Sequence, residues 1–176
     1  MSNYNFNFNT VLDLLWNNNF NEALKICLLN QESQQDNNYL LLTSWALLEN
    51  GFVNESINFL NKSSFKNFNS FHYLISSYIL YRVSNFEKAL EYVDVAIKKN
   101  TEYSLWAKIL KSRIHAYLHE YYEAYSYFSN EVCNFVTNSD ILQMKKWFGY
   151  PAGYIEDIFN NYRYNVGFLI DQAIIA

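Results

Sequence analysis

Four short tetrads set the spacing of this 176-residue chain. Phe20-Asn-Glu-Ala23, Val53-Asn-Glu-Ser56, Phe86-Glu-Lys-Ala89 and Tyr121-Tyr-Glu-Ala124 each begin with an apolar or aromatic residue, carry an acid in the middle and end on a small residue. The small residues at 23, 56, 89 and 124 are 33, 33 and 35 positions apart. A fixed period of that size describes a supersecondary unit that cannot bury its apolar face alone, so its neighbours must stack on it. The period constrains the architecture and leaves the ligand open.

Composition decides what the units are made of. Hydrophobic residues make up 51% and aromatics 19%, with 4 Gly and 1 Pro, which favours long helices with few breaks and an all-α class. The length suits one domain, 1–176, with helix pairs at about 4–36, 37–69, 70–104 and 105–137 and capping helices over 138–176. A formal charge of −4 and no Lys/Arg run longer than two residues speak against nucleic acid as a partner. No window approaches the roughly 18 apolar residues of a membrane span, and residues 1–9 lack a basic and an apolar region, so a cytoplasmic protein is expected. Cys27 and Cys133 fall in the first and fourth units. A linear stack holds them beyond the roughly 4–7 Å Cα separation of a disulfide, and both are expected as free thiols.

Periodicity places helices over 10–18 and from 20 onward, then a polar loop over 31–38. Further helices are predicted over 39–50 and 53–61, divided by Asn50-Gly51, where Gly can take the left-handed conformation that closes a helix. The third pair is predicted over 70–82 and 86–99, with Ser84 and Asn85 capping the second helix and Lys98-Lys99 in its last turn. The fourth spans 103–119 and 121–135. A short helix through Trp147 follows, then a break at Gly149-Tyr-Pro151-Ala-Gly153, then closing helices to 176.

Twelve residues before Ser56, Ala89 and Ala124 stand Ser44, Ser77 and Ser112; nine before the first two stand Leu47 and Leu80; seven after Ala89 stands Ala96. This arrangement of small and large residues resembles the tetratricopeptide repeat family, whose unit is two antiparallel helices in about 34 residues. Val11 replaces the small residue of the first unit, His115 stands where the fourth should have an apolar or aromatic residue, and no proline ends a repeat. The resemblance implies a right-handed α-α solenoid whose first helices line a concave face. Carried over, that face comprises Trp45, Glu49, Tyr78, Tyr81, Arg82, Trp106, Arg113 and Tyr117. Aromatics and arginine concentrate binding energy, so the implied function is an adaptor or scaffold holding a peptide or helix of a partner protein with acidic and aromatic or apolar features. The alternative for the arginines is internal pairing, with Glu49 the nearest candidate. The pentatricopeptide repeat, a similar helical pair, reads RNA, and both the period and the acidic charge speak against it.

Other chemistry is sparse. His115 and His119 are four apart on a predicted helix, with Glu123 four further on, a spacing that can hold a metal and is the basis of an alternative reading as a metal-dependent enzyme. It lacks the His-Glu-x-x-His motif and a fixed third ligand. No nucleophile-and-base arrangement is legible, glycine is too scarce for a phosphate loop, and Glu87, Glu91, Asp94, Glu120, Glu123 and Glu131 read as a solvated surface. Lys145-Lys146-Trp147-Phe148 reads as cap packing rather than a membrane anchor. The expectation is a non-enzymatic binding module without a cofactor. A small secretion-type chaperone, or a structural subunit whose groove is filled by its own terminus or by self-association, are the other expectations.

Overall fold

The computed structural model describes residues 6–30, 36–99, 101, 103–120 and 123–124, apart from the side chains at 65, 105 and 116. Cys133, the segment 145–148 and the expected capping helices lie outside the described residues. Every regular element among those described is helical: α1 (Phe8–Trp16), α2 (Phe20–Leu29), α3 (Asn37–Glu49), α4 (Val53–Lys62), α5 (Ser70–Arg82), α6 (Phe86–Lys98) and α7 (Ser104–Tyr117), with one 3-10 turn at Phe65–Asn67. The protein is all-α over this range. The chain divides into two compact units, Met1–Ala107 and Lys108–Ala176.

In the first unit α3 is central, packing against α1, α2, α4 and α5. All ten residues from Tyr39 to Leu48 are buried, and α5 buries every residue from Ser70 to Tyr81 except Tyr73. A helix apolar all round has no face for water and must lie inside. The following helices are amphipathic instead: α4 buries only Ser56 and Leu60, and α6 only Ala89, Val93 and Ala96, one stripe at helical spacing. Aromatic edges fill the gaps. Tyr39 meets Phe6 at 5.2 Å and Phe59 at 6.4 Å, while Phe71 meets Phe8 at 5.4 Å and Tyr103 at 5.2 Å. Cys27 is a free, fully buried thiol whose pKa burial pushes up to about 11, so it packs as a small hydrophobe.

α3 starts two residues earlier than its apolar pattern, because polar groups extend it. Asp36 Oδ1 accepts from the Asn38 N–H at 3.2 Å, and the Asn37 amide exchanges two hydrogen bonds with the Ser64 backbone, at 3.0 and 2.9 Å. The expected capping of α6 by Ser84 and Asn85 is not what forms. Asn85 is the N-cap but its side chain makes no capping bond, and Ser84 has φ +62°.

The reason is a turn that recurs four times among the described residues. Asn18, Gly51, Ser84 and His119 all have positive φ, at 60°, 84°, 62° and 63°. Their spacing is 33, 33 and 35 residues, and each stands five before a small residue of the period. After each, a backbone N–H reaches back five residues: Asn19 to the Leu14 carbonyl at 2.8 Å, Phe52 to Leu47 at 2.9 Å, Asn85 to Leu80 at 2.9 Å and Glu120 to His115 at 2.9 Å. This is the Schellman closure of a helix. The carbonyl of each donating residue accepts from Ala23, Ser56, Ala89 and Ala124 respectively, and Asn19, Phe52 and Asn85 are the N-caps of α2, α4 and α6. The turn geometry thus starts the second helix, and a capping side chain is unnecessary.

A side-chain bond then ties the two helices of a pair. Ser44 Oγ donates to the Ser56 carbonyl at 2.8 Å, Ser77 Oγ to the Ala89 carbonyl at 2.7 Å, and Ser112 Oγ to the Ala124 carbonyl at 2.6 Å. The period therefore marks a contact as well as a small volume: a hydroxyl that bonds the facing backbone can approach it more closely than a methyl. In the first pair Val11 and Ala23 occupy these places, both fully buried and neither carrying a side-chain hydrogen-bonding group. In the second unit the described residues are the remainder of α7, with Leu110 and Ile114 buried, and the residues that follow it to Ala124.

Candidate partner-binding face

Trp45 and Glu49 on α3 stand one and five residues after Ser44; Tyr78 and Arg82 on α5 stand one and five after Ser77. Because α3 packs on α5, equivalent positions become neighbours, and the four side chains form one cluster. The Trp45 and Tyr78 rings meet edge to face at 5.7 Å. Arg82 Nη1 donates to Glu49 Oε1 at 2.6 Å and to the Tyr78 hydroxyl at 2.6 Å, and the Tyr78 hydroxyl donates to Glu49 Oε1 at 2.7 Å. The Arg82 guanidinium also lies over the Tyr78 ring at 5.7 Å.

The electrostatics follow from that geometry. Burial first, and then the adjacent Glu49 charge, push the Tyr78 phenol far above its ordinary range, with Arg82 opposing, so Tyr78 remains a neutral donor. The Glu49 side chain is only 10% exposed and Arg82 is 37% exposed, so the carboxylate is held below and the guanidinium reaches outward. Of the two expected groove cations, Arg82 is thus neutralised within the molecule by Glu49. Glu49 and Arg82 are one period apart with opposite charge, which is the signal by which sequence reasoning reaches the pair.

The aromatics of the expected face are packed rather than open. Trp45, Tyr78 and Tyr81 are 2%, 4% and 7% exposed. Since α3 and α5 are covered on all sides, positions that would line a groove meet neighbouring side chains instead, and Tyr81 packs on the Phe86 ring at 6.1 Å. Trp106 is half-buried on the part of α7 in the first unit. Arg113, half-buried, and Tyr117, 58% exposed, lie on the part of α7 that belongs to the second unit.

The metal-site premise fails on geometry. α7 ends at Tyr117, and His119 sits in the left-handed turn beyond it, so His115 and His119 do not share a helix face. His115 Nδ1 is 2.6 Å from Glu120 Oε2 instead. Among the described residues no group of three or more His, Cys, Asp and Glu side chains could hold a metal ion, and no helix is long and apolar enough to cross a membrane. Compared with known proteins, the chain matches no family model, no curated protein and no solved structure.

Proposed function

We propose that this chain is a non-enzymatic protein-interaction module of tetratricopeptide type, a right-handed stack of about four helix pairs that holds a peptide or helix of a partner protein along the first helices of its pairs. The observation that supports it most is the recurrence of one local structure, a left-handed turn followed five residues later by a small residue, at intervals of 33, 33 and 35. The serine-to-carbonyl bond recurs with it in three of the four pairs. A chain that repeats its backbone this closely while varying its outward side chains is built to present a surface.

With Trp45, Tyr78 and Tyr81 packed inside, the partner-contacting groups in this reading are the outward edge of Arg82 and Trp106 in the first unit and, in the second unit by itself, Arg113 and Tyr117. Both hydrogen bonds of Arg82 run through Nη1. Glu49 and Tyr78 hold the guanidinium in a single orientation, and its remaining N–H groups suit a partner carboxylate. In the second unit, Tyr117 suits an apolar or aromatic side chain of the partner.

Fluorescence anisotropy with the full chain and labelled peptides carrying Asp or Glu beside Phe or Leu tests this reading, with the carboxamide versions as controls. Arg113→Ala is expected to weaken binding by roughly 1.5–3 kcal/mol, as for a lost hydrogen bond to a charged group, with the circular dichroism spectrum unchanged. Equal binding of acidic and carboxamide peptides, or of wild type, Arg113→Ala and Tyr117→Ala, would overturn it.

A further inference from the structure

His72 is a buried titratable group of the first unit that the proposed binding role does not use. It is the third residue of α5, 6% exposed, and both ring nitrogens are engaged. The Asn69 backbone N–H donates to Nδ1 at 3.1 Å, and Asn69 Oδ1 accepts from the His72 backbone N–H at 3.0 Å, a reciprocal cap on α5. Nε2 lies 2.8 Å from Asn38 Oδ1 on α3. A backbone N–H can only donate, so Nδ1 must carry a lone pair. The ring proton is therefore on Nε2, which donates to Asn38, and the imidazole in this fold is neutral.

Its surroundings oppose a charge. His72 stands in the first turn of α5, and its partner Asn38 in the first turn of α3, so the positive ends of two helices are close by. Phe68, from the connection before α5, places its ring 5.2 Å away, and Phe71 on the same helix 6.1 Å away. The acting charge on the other side is Asp36, the N-cap of α3. Burial outweighs Asp36, and the His72 pKa lies below its ordinary value of 6.5.

We propose that His72 is an acid-operated latch: a proton from solvent binds the Nδ1 lone pair, the Asn69 N–H loses its acceptor, and the connection between α4 and α5 opens while the buried helices stay packed. That connection comprises residues 63–69. Its other described side-chain ties are the Asn37 amide on Ser64, Ser63 Oγ on the Leu60 carbonyl and the buried Phe68 ring beside His72 and Tyr73, so loss of the Asn69 N–H bond weakens its α5 end, where the Asn69 Oδ1 cap on the His72 N–H remains. In the opened state His72 is solvated and titrates near 6.5; in the closed state it titrates lower. The latch is therefore at full strength well above pH 6.5 and weakens as pH falls through 6.5 towards the lower closed-state value, by at most about tenfold per pH unit.

Two measurements on the full chain test this. Imidazole nitrogen chemical shifts should show the Nε2–H tautomer at pH 7.5 and a midpoint below 6.5; an Nδ1–H tautomer, or a midpoint at or above 6.5, overturns the proposal without any variant. Amide hydrogen exchange, expressed as protection relative to the intrinsic rate at each pH, should show residues 64–69 and 72 losing protection, by up to about fivefold between pH 6.5 and 5.5, while the α3 and α6 interiors hold theirs. His72→Gln keeps an acceptor for the Asn69 N–H and cannot titrate. Its exchange at 64–69 should be independent of pH, and a loss equal to wild type would overturn the latch.

Discussion

The α3–α4 and α5–α6 pairs share one backbone and differ in chemistry at the two points that hold it. At the turn, the left-handed position is Gly51 in one pair and Ser84 in the other, with φ of 84° and 62°. At the serine bond between the helices, Ser44 meets both the carbonyl and the hydroxyl of Ser56, at 2.8 and 3.0 Å, whereas Ser77 meets the Ala89 carbonyl alone, at 2.7 Å. The geometry therefore belongs to the repeat and not to a particular residue. Where the favoured glycine is absent, packing of the two helices holds a serine in a conformation that costs an L-residue roughly 1–2 kcal/mol.

The largest difference between the pairs should come from bulk at the small position. Ala89 is fully buried, and its carbonyl accepts from Ser77, so the facing helix is too near for a longer side chain. Ala89→Leu should cost about 3 kcal/mol by overpacking. Lys88→Leu beside it, at an exposed position, should stay within about 0.5 kcal/mol. Urea unfolding of both variants checks this, and equal midpoints would mean that α5 and α6 do not meet in this register.

A smaller asymmetry should separate the two serine bonds. Ser77→Ala removes one hydrogen bond and should cost about 1 kcal/mol. Ser44→Ala also strands the fully buried Ser56 hydroxyl and should cost about 2 kcal/mol. Adding Ser56→Ala to it should restore part of that loss, because two apolar groups replace a pair and leave no hydroxyl unsatisfied. If Ser44→Ala and Ser77→Ala lower the unfolding midpoint equally, the second oxygen of Ser56 contributes nothing.

These differences also mark what could be read beforehand. Helix positions were legible because burial stripes and turns recur at a fixed period; the limits 70–82 of α5 and the starts of α2, α4 and α6 coincide with those read from sequence, and the other ends given differ by one or two residues. The turn at Gly51 was legible because glycine announces it; the turns at Asn18, Ser84 and His119 were not, since their residues are ordinary helix or cap residues held there by tertiary packing. For the same reason His119 read as a helix residue four after His115. The candidate face was legible as a set of positions and not as an exposed surface. Whether Tyr78 points to solvent depends on the neighbour carrying Trp45 and Glu49, which a single helix pattern does not contain.

The smallest expected effect is at the turns themselves and has opposite signs in the two pairs. Ser84 pays for a left-handed backbone with a side chain that is exposed and makes no hydrogen bond seen in its pair, so Ser84→Gly should relieve that strain. Part of the gain is offset by the greater freedom of glycine in the unfolded chain, leaving a stabilisation of about 0.5–1 kcal/mol. At Gly51 a Cβ would meet no heavy atom within 4 Å, so Gly51→Ala should be penalised by backbone conformation alone, by about 1 kcal/mol. Thermal unfolding of the two single variants and their double should give shifts that add, since the turns lie on different pairs and share no partner among their backbone bonds. A Ser84→Gly variant no more stable than wild type would show that the serine turn is unstrained and that the two pairs are alike after all.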